Sequence, residues 1–166
     1  MQGAHHHSRA DAGDAGVEPV ANAGVRAATR PAGAPPPALR VLVADDSDGF
    51  REVARSWIAT QPHLRLAGEA RSGREAIDAV EAAPAGNIDL VLMDAAMPGV
   101  DGFEATRHIK ATPGAPAVVV LTFHDGAVAR TKALEAGADG FVSKPDMTDT
   151  LGAEIARLFT TTRPAR

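Results

Sequence analysis

The chain has no cysteine among its 166 residues. Disulfide and thiolate chemistry are therefore excluded, which fits a cytoplasmic protein without requiring one. Long apolar runs are missing as well. No stretch is long enough to span a bilayer, and no apolar h-region follows the start, which argues against a secretory signal. Positive charge is not in excess: the formal net charge is −4, which leaves no basic footprint for nucleic acid and no polybasic patch for a membrane surface. Residues 1–38 hold almost no large apolar side chains. They are mostly Ala, Gly, Pro and short polar residues, ending in Pro35-Pro36-Pro37. Such a segment buries too little surface to offset its ordering entropy and is expected to be disordered. His5-His6-His7 within it reads as incidental rather than as a metal-binding tract.

About 128 residues follow, enough for one domain with its own core. The expected organisation is an extension over 1–38, a domain over 39–160 and a short tail over 161–166. From Leu39 the pattern alternates strand and helix five times. Leu39–Ala44 is a β-rich run. Phe50, Val53, Ala54, Trp57 and Ile58 then recur at the spacing of one helical face, with Ser47 or Asp48 as N-cap. Leu64, Leu66 and Gly68 mark a weaker strand that suits a sheet edge. Ser72-Gly73-Arg74-Glu75 is a capping box, opening a helix whose apolar face is Ala76, Ile77, Val80 and Ala83. Residues 88–93 read as a strand buried on both faces. A Pro/Gly-rich loop leads to a helix carrying Phe103 and Ile109. Residues 117–121 are the most strand-like run, followed by a helix over about 126–136 with Gly137 at its C-terminal end. The fifth strand is Gly140–Ser143, and the last helix carries Leu151, Ile155, Leu158 and Phe159. Five short βα units with apolar central strands predict an α/β fold, a doubly wound parallel sheet with helices on both faces. A closed eight-stranded barrel needs about twice the length. Periodicity does not set the strand order.

Chemistry gathers at the strand ends. Asp45 and Asp46 close the first apolar run, Asp94 the third, and Lys144, followed by Pro145, the fifth. In a parallel sheet these ends share one edge, where open α/β folds bind ligands. Three carboxylates crowded there repel one another, so the site calls for a cation.

Taken in order, Asp45-Asp46, Met93-Asp94, Met97-Pro98-Gly99-Val100-Asp101-Gly102, Leu121-Thr122, Ala136-Gly137-Ala138-Asp139-Gly140-Phe141 and Lys144-Pro145 resemble the response-regulator receiver domain of two-component signalling. The resemblance runs from about Leu39 to Phe159. It implies the flavodoxin-like three-layer sandwich with strand order 2-1-3-4-5. It also implies a phosphorelay role, with Asp94 as phosphoacceptor receiving phosphoryl from a sensor histidine kinase or a histidine phosphotransfer protein. Asp45, Asp46, Asp94 and the backbone carbonyl of Ala96 would hold Mg²⁺ (or Mn²⁺), and Lys144 would bring a mobile point charge to the phosphate. Thr122 would be the switch hydroxyl. Phe141 is either the switch aromatic that swings inward or a plain core residue. The output would be altered affinity for an unidentified downstream protein through the face formed by the last two helices and the fifth strand. Receivers of this subtype can also pair as homodimers through the first and last helices.

Three positions depart from the family pattern. Ala96 and His124 stand where the family tunes the lifetime of the acyl phosphate. Ala96 cannot orient a water, whereas His124 could. Phe123 is bulkier than the small residue common after the switch hydroxyl and would narrow access to Asp94. A finer likeness is to receivers of LuxR-like DNA-binding regulators, carried by Phe50-Arg51-Glu52, Gly68-Glu69-Ala70, Gly73-Arg74-Glu75-Ala76 and Leu121-Thr122-Phe123-His124-Asp125. The seven residues after Phe159 are too few for a helix-turn-helix, so the expectation is a stand-alone receiver or a fragment, with no nucleic-acid binding by this chain. A haloacid-dehalogenase-type phosphatase would need an acid two residues after the nucleophile, where Ala96 stands. A scaffold indifferent to phosphate would not need the acidic set, Thr122 and Lys144 together. The expected role is therefore non-enzymatic beyond self-catalysed phosphoryl acceptance and slow autodephosphorylation.

Overall fold

Strands and helices alternate along the chain in the order β1 (Leu39–Ala44), α1 (Asp48–Ala59), β2 (Leu64–Ala70), α2 (Gly73–Ala82), β3 (Leu90–Asp94), α3 (Gly102–Lys110), β4 (Ala117–Thr122), α4 (Ala127–Glu135), β5 (Gly140–Ser143) and α5 (Met147–Thr160). The structure is a computed structural model that describes residues 37–124 and 126–160. All of these lie in one of the two units into which the chain divides, Pro36–Arg166. The expectations for residues 1–36, including His5-His6-His7, and for 161–166 lie outside the described residues.

The strands form one parallel sheet in the order β2-β1-β3-β4-β5. Side chains alternate across it with the period of two that a strand imposes. Val41, Val43, Leu90, Leu92, Val119 and Leu121 face a core shared with Ala54 and Ile58 of α1 and Leu151 and Ile155 of α5. Leu42, Ala44, Val91, Met93 and Val118 face the opposite core, closed by Ala76 and Ile77 of α2 and Ala105 and Ile109 of α3. Val120 packs with Ala133 of α4. The result is the doubly wound three-layer sandwich. Every residue of β3 is buried, as its continuous apolar run requires. β2 is the edge: Leu66 is exposed, and the β1–β2 register slips by one residue after Val41, a bulge of the kind that edges tolerate.

Helix starts follow the capping residues. Ser47 Oγ accepts from the Phe50 N–H, Ser72 Oγ from the Glu75 N–H, and Asp101 carboxylate from the Glu104 N–H. Two local expectations need correction. The Glu75 carboxylate reaches back to the Arg71 N–H at 2.8 Å rather than to that of Ser72. Val53 is half exposed and Arg51 is buried in its place. The buried stripe of α1 is centred on Ala54 and Ile58, and the Arg51 guanidinium is drawn inward by the carbonyl of Asp45 at 2.6 Å.

Gly102 opens α3 directly against β3. A Cβ there would collide with the Asp94 carbonyl oxygen, and no side-chain rotation can relieve a clash with backbone. Gly102→Ala is expected to cost about 1–3 kcal/mol of stability, the usual penalty of overpacking, read as an earlier midpoint in urea unfolding. Gly137 follows α4 at φ 88°, a left-handed conformation that favours glycine.

Candidate functional site

The carboxyl ends of β1, β3, β4 and β5 lie along one edge because the ladder holds them in register. Ala44 stands opposite Met93, Asp94 opposite Leu121 and Thr122 opposite Ser143. Backbone pairing continues one step beyond the strands: the Asp45 N–H donates to the Ala70 carbonyl, that of Ala95 to Leu121, and that of Lys144 to Thr122. Asp45, Asp46, Asp94, Thr122 and Lys144, named from the sequence, therefore come together.

Asp45 is 1% exposed. One of its carboxylate oxygens accepts from the Ser47 N–H at 2.8 Å and the other from Lys144 Nζ at 2.6 Å. Asp94 is 5% exposed. Its Oδ1 lies 3.0 Å from the same Nζ and accepts a longer bond from the Ala96 N–H at 3.4 Å. Burial pushes the Asp94 carboxyl above its ordinary range. The hydrogen bond from Lys144 opposes that shift, and the charge of Asp45 adds to it. Asp46 is exposed at the rim, yet one oxygen from each of Asp45, Asp46 and Asp94 lies within 4.8 Å of the others. The lysine expected as a mobile charge is itself buried and bridges two carboxylates.

Thr122 is buried, and its Oγ1 accepts from the His124 N–H at 3.0 Å. No other hydrogen bond engages that hydroxyl among the described residues, so its proton is free to be donated. His124 itself is exposed. Phe141 is half-buried, packs with Val120 and Ala133, and carries the Arg130 guanidinium 4.8 Å from its ring centroid.

Sequence reasoning passed over two features. Arg51 braces the Asp45 carbonyl from below and pairs with Asp48. Its signal was position alone: a cation in the first turn of the helix that follows Asp45. The other is an aromatic pair over Lys144, whose Nζ lies 4.2 Å from the Phe50 ring centroid and 4.9 Å from that of Phe123.

An α/β sheet whose carboxyl edge holds an acidic cluster, a buried lysine and a buried threonine defines a receiver-type signalling fold. The chain belongs to the response regulator receiver domain family, whose model matches residues 41–156. A two-component response regulator of the LuxR family from Aurantimonas superposes with a TM-score of 0.69 at 33% identity, over 76% of this chain and 88% of that one. The response regulator domain of Thermotoga maritima CheB gives a TM-score of 0.65 at 29% identity, over 76% and 99%. A histidine-kinase receiver domain from Arabidopsis thaliana, solved in complex with Mg²⁺, gives 0.60 at 26% identity, over 72% and 91%. Among curated relatives, a protein-glutamate methylesterase/protein-glutamine glutaminase from Pyrococcus abyssi is 40% identical over 64% of this chain but only 28% of its own length. The Escherichia coli response regulator UvrY is 36% identical over 64% of this chain and 47% of its own length. The chain thus spans less than half of either relative, and the activities in their names are statements about those proteins. Receiver domains as a class interact with histidine kinases or phosphotransfer proteins and bind Mg²⁺ at an acidic pocket. Among the described residues, no helix is long and apolar enough to cross a membrane.

Proposed function

We propose that this receiver accepts a phosphoryl group on Asp94 from a phosphohistidine donor and signals by a changed affinity for a partner protein. The observation that carries the reading is the buried Asp94 carboxylate with Lys144 Nζ at 3.0 Å, set in a cluster of oxygen donors. That donor set suits Mg²⁺, a hard cation that takes carboxylate and carbonyl oxygens and keeps several waters. Asp45, Asp46 and Asp94, with the Ala96 carbonyl, would hold it. When bound, the ion neutralises charge developing on the phosphoryl oxygens. Lys144 would bond a phosphoryl oxygen once Asp94 carries the acyl phosphate, and the hydroxyl proton of Thr122 would bond another. Phe141 and the groove beside it, lined by Arg130, Asp149, Glu154 and Arg157, form the partner face. The switch is a two-state equilibrium that such contacts bias.

Incubation with acetyl phosphate and Mg²⁺ is expected to add the mass of one phosphoryl group, lost again on treatment with hydroxylamine, which cleaves acyl phosphates. An unmodified mass with acetyl phosphate and with a phosphoramidate donor alike would refute the assignment. A second reading, in which the chain is the receiver of a DNA-binding regulator, is favoured by the likeness to the LuxR-family response regulator.

A further inference from the structure

Phe50 and Phe123 meet edge to face, with ring centroids 6.4 Å apart and planes at 74°. Both rings lie against Lys144 Nζ, and that nitrogen touches Asp94 Oδ1. The Phe123 ring therefore stands one ammonium group away from the phosphoacceptor oxygen. Phe50 is half-buried, but Phe123 is 65% exposed, so the ring face that Lys144 does not cover is open to solvent beside the site. A group arriving at Asp94 with a planar ring behind its phosphorus can lie against that face.

We propose that Phe123 is a specificity-determining residue. It offers a stacking face to the leaving group of the donor, so the site takes phosphoryl from an aromatic phosphoramidate, such as a phosphorylated imidazole, in preference to an acyl phosphate. The proposal rests on Asp94 being the acceptor. In the transfer, a lone pair of the Asp94 oxygen forms the new O–P bond as the P–N bond breaks. The P–N electron pair departs with the ring nitrogen. A proton already carried on the other ring nitrogen makes the leaving imidazole neutral. Before that bond breaks, the protonated ring has cationic character, which an aromatic face attracts in addition to stacking. Acetyl phosphate expels acetate, which is anionic and has no ring, and gains neither interaction.

The test compares initial rates of adduct formation by the intact chain with phosphoimidazole and with acetyl phosphate, at equal Mg²⁺. Phe123→Leu keeps bulk and removes the π face; Phe123→Tyr keeps the face. The ratio of the phosphoimidazole rate to the acetyl phosphate rate is expected to fall about five- to tenfold in Phe123→Leu and Phe123→Ala, and to hold in Phe123→Tyr. An unchanged ratio in Phe123→Leu overturns the proposal. So does an equal slowing with both donors, which would show that the ring only steadies Lys144. No adduct from either donor in the unsubstituted chain is a different result: it refutes the acceptor assignment and takes this proposal with it.

Discussion

Asp94→Asn is expected to abolish the phosphoryl adduct, lowering its rate of formation by about two orders of magnitude or more, because an amide is not the nucleophile that a carboxylate is. The check is the intact mass after exposure to acetyl phosphate; an adduct that persists would place the acceptor elsewhere. The same substitution carries a stability signature of definite sign. Burial first of all, and the charge of Asp45 in addition, raise the Asp94 pKa against the opposing bond from Lys144. The folded chain then holds this proton more tightly than the unfolded chain does. That contribution to stability is complete below the ordinary carboxylate range and is lost as pH rises through the raised pKa. Asparagine never ionises. In metal-free buffer the variant should gain on the parent as pH climbs towards neutrality, and the gap should close again in acid. A gap that widens in acid would mean that Lys144, not burial, dominates the environment of Asp94.

Lys144→Ala should have the largest effect on stability. Its ammonium sits between Asp45 and Asp94, at 2.6 and 3.0 Å, and both carboxylates are buried. Removing one partner of a buried pair leaves uncompensated charge, which typically costs about 3–5 kcal/mol. Proton uptake by Asp94 places the expected loss near the low end, about 3 kcal/mol. Mg²⁺ should recover much of it, since a dication can take over the two oxygens that the lysine leaves. Urea unfolding with and without Mg²⁺ measures both. A loss under about 1 kcal/mol, or one indifferent to Mg²⁺, would show that Lys144 is not the counter-ion of this pair.

Much of this architecture is local in origin and could be read from the chain. The continuous apolar run of β3, the serine caps of α1 and α2 and the carboxylates at strand ends are short-range patterns, and the structure keeps them. The strand order was not in the periodicity; the family resemblance supplied it. What escaped was long-range or contrary to residue type. Arg51 reads as a solvated helix residue, yet a carbonyl oxygen six positions earlier pulls it under the sheet edge. Val53 has the right spacing for the core and lost its place to that arginine. The Lys144–Asp45 pair spans 99 residues, and the rings of Phe50 and Phe123 meet over the lysine only once four strands are in register. No window of sequence contains those contacts.

The continuation of backbone pairing past the strand ends has a mechanical consequence. Asp45, Ala95 and Lys144 are anchored through their own amides to neighbouring strands, so the floor of the pocket is tied into the sheet beneath it. Compliance is left to the rim, the side chains of Thr122, Phe123 and His124 above that floor. In the proposed switch, a change of charge at Asp94 would meet a base held by the ladder and a border of side chains, and displacement is expected in that border at the end of β4 rather than in the cores. Such a pocket would answer a small chemical event by moving its lip while its foundation stays still.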